Sequence, residues 1–117
     1  MVSYNGFDAK YITMQCIHTI PEKISVGDFV SVNNYGDVIL TKGNETFLGI
    51  VTAINDGYYT VQVGGYVEVK ASSDDLPMFS KLVINQNKAV MHSTTVDAPP
   101  RRVLWSDKEA KRAGIIL

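Results

Sequence analysis

The chain of 117 residues is short of the groups on which most enzyme chemistry and tight ion binding depend, having one cysteine and two histidines. A lone Cys16 cannot close an internal disulfide, so nothing requires an oxidising compartment. The formal net charge is −1, with 11 Lys and Arg against 12 Asp and Glu. That leaves no basic field to draw in a phosphate backbone, which argues against a dedicated nucleic-acid binder. No apolar run approaches the length that spans a bilayer. Residues 1–10 lack the basic start and apolar stretch of a secretory signal. The expectation is a soluble protein made in a cytoplasm, with no membrane partner. Helical periodicity is missing as well: no stretch repeats apolar residues at a convincing 3.6 spacing.

What the sequence does contain is period two. Residues 47–71, FLGIVTAINDGYYTVQVGGYVEVKA, read as three antiparallel strands in a row. Asn55, Asp56 and Gly57 form the first turn, where glycine supplies the positive φ of a tight hairpin. Gly64 and Gly65 form the second break. Tyr59, Val61, Val63, Val67, Val69 and Ala71 make the dry face, and Thr60, Gln62, Glu68 and Lys70 the wet one.

The rest of the chain follows the same grammar. Residues 1–10 have no period and read as an N-terminal arm, either frayed or ordered on a partner through Tyr4 and Phe7. Residues 11–20 alternate cleanly and predict one long strand ended by Pro21. Residues 24–40, ISVGDFVSVNNYGDVIL, lie over residues 76–91, LPMFSKLVINQNKAVM, with one deletion in the turn. Ile24 then matches Leu76, Val30 matches Leu82, Val32 matches Ile84 and Asn33 matches Asn85. The pair suggests two similar corners of one barrel. Residues 93–100, with three of the last five being Ala, Pro and Pro, read as a loop crossing an edge. Residues 102–106 predict a strand, 107–114 a charged turn holding at most one short helical turn, and 115–117 a closing strand. The fold class is therefore all-β: a small antiparallel β-barrel or sandwich built of hairpins, with residues 11–117 as a single domain.

A search for chemistry finds little. Cys16 and His18 share a face of the predicted strand, but two ligands do not make a zinc site, and nothing nearby would activate a thiolate. A buried small hydrophobe and a satisfied histidine are the plainer reading. His92 stands apart. Asp28, Asp37, Asp56, Asp74 and Asp75 fall at predicted turns, where aspartate bonds locally. No catalytic residue, metal or cofactor is assigned. Arg101 and Arg102, followed by Lys108, Lys111 and Arg112, form the basic cluster. It reads as a solvated face, or as a patch for an acidic partner surface. Tyr11, Tyr58 and Tyr66 fall opposite the predicted core, and Trp105 sits in a late strand. Exposed aromatics serve protein contacts or stabilise a sheet through cross-strand pairs. Together with Arg101 and Arg102 they also permit a third function, a small barrel stacking single-stranded nucleic acid.

The ordered series VGDFVSV, GDVILTKG, TFLGIVTAINDGYYTVQVGGYVEV, KLVI, KAV, RRVLW and GIIL resembles a family of small phage capsid decoration (head-fibre-like) proteins. The likeness covers residues 20–117. It implies a non-enzymatic virion protein on the exterior of the assembled head, synthesised in the bacterial host. Its partner would be the major capsid protein, and it would reinforce the expanded shell. A homotrimer is implied, with residues 1–10 adding a strand to the capsid through Tyr4 and Phe7. A tail, baseplate or fibre-adaptor module is the alternative within the same class.

Overall fold

The computed structural model describes residues 8–19, 22–72 and 75–117. They form eleven antiparallel strands and no helix. The all-β expectation is met. The strands divide among hydrogen-bonded sheets of five, four and two strands, none of which closes on itself, so the hairpin-rich sandwich form applies in place of a barrel.

Strands β1 (Lys10–Gln15), β2 (Phe29–Val32), β3 (Val38–Leu40), β4 (Gly49–Asn55) and β5 (Tyr58–Gly64) make the first sheet, in the order β1-β5-β4-β2-β3. Strands β6 (Tyr66–Lys70), β7 (Phe79–Ser80), β8 (Leu82–Ile84), β9 (Val90–His92), β10 (Arg101–Asp107) and β11 (Arg112–Ile116) make the other two, ordered β6-β11-β10-β7 and β8-β9. If β7 and β8 are taken as one strand broken at Lys81, the second set repeats the first. The register agrees. In the β2–β3 hairpin Val30 faces Leu40 and Val32 faces Val38. In β8–β9 Leu82 faces His92 and Ile84 faces Val90. Strand β4 begins at 49 and β10 at 101, a shift of 52 positions, and the bulges fall between Val51 and Ala53 and between Val103 and Trp105. The chain is thus a structural tandem repeat, residues 10–64 followed by residues 66–117.

The repeat extends to the cores. One cluster holds Ile24, Val30, Val38, Val51, Tyr59 and Val61. The other holds Leu76, Leu82, Val90, Val103, Ala113 and Ile115 at the equivalent places. To this second cluster the first repeat adds Phe29 and Phe47, with Ile50 packed against it, so the two cores meet across the first sheet. Phe29 and Phe47 pack edge to face at 4.7 Å between ring centroids.

Three details depart from the sequence reading, each for a local reason. First, the long strand over 11–20 stops at Gln15, because the N–H groups of Ile17 and His18 turn to the Asp37 carboxylate instead of a sheet neighbour. Second, the break at Gly64 and Gly65 is no hairpin: β6 leaves β5 and pairs with β11. Gly65 takes φ +90, and a Cβ there would press on the Ala9 backbone, so this crossing between repeats needs glycine. Third, the repeat has no deletion. Asn33 Oδ1 accepts from the N–H groups of Tyr35 (2.9 Å) and Asp37 (3.1 Å). Asn85 Oδ1 accepts from Asn87 (2.9 Å) and Ala89 (3.1 Å). Both are three-residue hairpin loops ending on a left-handed residue, Gly36 (φ 81) or Lys88 (φ 59). The charged turn after β10 is held by Asp107 Oδ1, which accepts from Glu109 and Ala110 N–H without forming a helix.

Each of these asparagines satisfies two turn donors that would otherwise lose their partner. Asn33→Ala and Asn85→Ala are each expected to cost about 1–3 kcal/mol. The aspartate variants, which keep the acceptor, are expected to cost less. Urea unfolding midpoints of the four variants check this.

Candidate functional site

The densest polar cluster is built on the first hairpin turn. Asp37 sits one residue beyond the loop, where its side chain turns inward, and it is 2% exposed. Its two oxygens accept from Ile17 N–H (2.8 Å), His18 N–H (2.9 Å) and Thr19 Oγ1 (3.1 Å), and lie 3.2 Å from His18 Nδ1. Burial opposes its ionisation. The hydrogen bonds from Ile17, His18 and Thr19 outweigh that and lower its pKa from 3.8 to about 2. A carboxylate so fully engaged is a weak base and a poor ligand. It serves to clamp residues 17–19 onto the turn. The equivalent residue in the second repeat is Ala89, and there Ser72 N–H bonds the Val90 carbonyl (2.9 Å). The His18 ring stacks on Tyr35 at 5.7 Å. Cys16 lies beside Thr19, with Sγ 3.2 Å from Oγ1. Among the described residues no three His, Cys, Asp or Glu side chains converge in a way that would hold a metal.

The aromatic and basic residues singled out from the sequence do not form one patch. Trp105 Nε1 donates to Tyr66 Oη (2.7 Å), and Tyr66 Oη lies 3.3 Å from Glu68 Oε1. Both rings are half-buried over Gly114, where any Cβ would meet the indole and the phenol. Arg101 donates from Nη2 to the Phe47 carbonyl (2.8 Å) and stacks its guanidinium 4.2 Å over the Phe47 ring. Burial pulls its pKa below the usual arginine value, and the side chain ties the two repeats together. Arg102, next along, is exposed. Tyr11 and Tyr58 are exposed at opposite ends of the β1–β5 ladder, facing Gln62 and Gln15 respectively. Tyr4 and Phe7 lie outside the described residues.

Sequence reasoning passed over other exposed apolar side chains. Tyr35 (69% exposed) is at the tip of the first loop, and Phe79 (61%) faces outward from β7. The signal for Tyr35 was present, since a residue inside an Asn-Asn-Tyr-Gly turn has no core to enter. Phe79 is harder to read, because it stands where the first repeat has Gly27. No protein-family model matches this chain, and no curated protein or solved structure is significantly similar to it.

Because Asp37 holds its charge to about pH 2 in the fold and only to 3.8 ordinarily, the unfolded chain takes up the proton first as the solution is acidified. Its stabilising contribution is therefore complete above 3.8 and disappears as pH falls through that window towards 2. Urea midpoints measured across the acid range should show this decline in the native chain. Asp37→Asn should lower the neutral-pH midpoint and flatten the acid limb.

Proposed function

We propose that this chain is an adhesive structural module: a phage capsid decoration protein that binds the outside of the assembled head and stabilises the expanded shell. One observation carries the adhesive part. Tyr11, Tyr35, Tyr58, Met78 and Phe79 are large side chains held in solvent: Tyr11, Tyr58 and Phe79 on paired strands, Tyr35 in a hydrogen-bonded hairpin loop and Met78 just before β7. Aromatics displayed on rigid elements give up little rotamer freedom when covered, which makes them effective contact residues. The likeness of the ordered strand motifs to decoration proteins supplies the capsid as partner.

The mechanism is multivalent. Each contact with the major capsid protein need bury no more than about 800 Å² per partner. Engagement of a second site gains from the raised effective concentration that the first creates. If the sites are assembled only in the expanded lattice, binding stabilises that lattice by mass action. Cosedimentation with empty expanded heads lacking this protein is the test. Saturable binding to expanded heads, with none to the free capsid subunit, is expected. Tyr58→Ala is expected to weaken the binding several-fold. No sedimentation with expanded heads removes the proposal.

A further inference from the structure

The tandem repeat contains one contact already made and displays the two halves of a second. At the seam inside the chain, the second repeat receives the back of the first. Asn44 N–H donates to the Ile84 carbonyl and Ile84 N–H to the Glu45 carbonyl, both at 2.9 Å, and Ile84 is 1% exposed. Beside this bridge Phe29 and Ile50 face Val69, Asn87 and Arg112 across a cleft of about 410 Å³. Lys88 Nζ spans the seam to Asp28 at 3.0 Å.

In the first repeat the receiving positions are Val32, Met14, Tyr35 and Tyr58, by the register of β2–β3, β1–β5 and β4–β5. No described segment bridges to Val32 as residues 44 and 45 bridge to Ile84. Val32 is 46% exposed. In the second repeat the delivering positions are Val96 and Asp97, followed by Phe79, Lys81 and Arg102. Phe79 and Arg102 pair with, or neighbour, one another on β7 and β10 and are both exposed.

The chemistry of the two ends is matched. At the internal seam, an aromatic and an aliphatic side chain (Phe29, Ile50) from the delivering side and Arg112 from the receiving side line the same cleft. At the free ends the delivering side carries the cations, Lys81 and Arg102, and the receiving side carries the rings, Tyr35 and Tyr58. Docked in the arrangement of the internal seam, these cations would lie opposite the tyrosine rings, a favourable pairing. Pro99 stands where the first repeat has Phe47, so the outer contact is not a replica of the inner one. Phe79, at the place of Gly27, supplies aromatic bulk there instead.

We propose that a second copy of this chain docks head to tail, the Phe79–Arg102 end of one copy covering the Val32–Tyr35 end of the next. The contact is heterologous, and closes into a ring or runs on as a filament according to the rotation it imposes. It does not rest on the capsid reading, since it requires only another copy of the chain.

Sedimentation velocity of the native chain and of Val32→Glu and Phe79→Glu, alone and mixed, tests this. The native chain is expected to associate at micromolar concentration, and each variant alone to be monomeric. An equimolar mixture of the two variants is expected to give 1:1 dimers and nothing larger, because each retains the half that the other has lost. Thermal unfolding checks that the variants fold. Should either fail, Tyr35→Ala and Arg102→Glu, both at exposed side chains, take their places and are expected to weaken association by at least several-fold. A native chain that remains monomeric overturns the proposal. So does variant association that persists, or a mixture that stays monomeric.

Discussion

A five-stranded sheet with one apolar core beneath it still has a second face to protect, and in this protein that protection is the seam between repeats. Phe29 from β2 and Phe47 from the link between β3 and β4 enter the core of the second repeat, where they are almost fully buried. Arg101 lies over Phe47 and bonds its carbonyl, so a charged strand of the second repeat is fastened to the same aromatic pair. Each repeat has only about fifty residues, a size at which a single small core is marginal on its own. The shared aromatics turn two marginal cores into one cooperative body.

The repeats have kept what builds a hairpin and changed what faces outward. The Asn33 and Asn85 turns share the same bonds, the same loop length and a left-handed third residue. Only the means differ: glycine provides the conformation in the first, while Lys88 takes it in the second and extends to Asp28. Immediately after the loop the copies part. Asp37 gathers residues 17–19 with its carboxylate, whereas Ala89 leaves Ser72 to bond a strand carbonyl. Most interior positions exchange one apolar residue for another, as Val30 with Leu82, because close packing admits little else. Asp37 against Ala89 is an exception, its carboxylate being met by hydrogen bonds. Positions outside a core carry no such constraint: exposed Tyr58 is answered by exposed Arg112, and Phe29, buried at the seam, by half-buried Lys81.

Much of this was legible in the sequence because strand pattern and turn chemistry are local. The alternation in residues 58–61, the Asn-Asp-Gly turn and the match of Ile24, Val30 and Asn33 with Leu76, Leu82 and Asn85 all appear in the structure. The alternation fails at Gln62, expected on the wet face and instead buried, with its amide donating to the Gly64 carbonyl. The partner of each strand was not legible. Gly64 and Gly65 suit a hairpin and a crossing between sheets equally well, and the choice is made by the distant β11. Residues 16–19 alternate as a strand should, yet a carboxylate some twenty positions away draws them out of the sheet. Trp105 and Tyr66 read as surface rings, and their hydrogen bond over Gly114 depends on β6 and β11 being neighbours. Long-range pairing decides these cases, and it leaves no mark within a short window.

The distribution of exposed aromatics follows from which repeat faces the seam covers. A solenoid-like chain normally finishes with polar outer faces, since an uncovered repeat surface invites association. Here the second repeat has replaced Phe29 and Ile50 with Lys81 and Arg102, which blunts direct hydrophobic stacking of one chain on another. The first repeat has not been blunted in the same way: Val32, Tyr35 and Tyr58 remain in solvent. An arginine or lysine laid on tyrosine gives up less solvation than a buried ion pair and still favours one register over others. Ends of this kind favour specific, reversible contacts over indiscriminate adhesion. Contacts of that sort are what the decoration role proposed above would require.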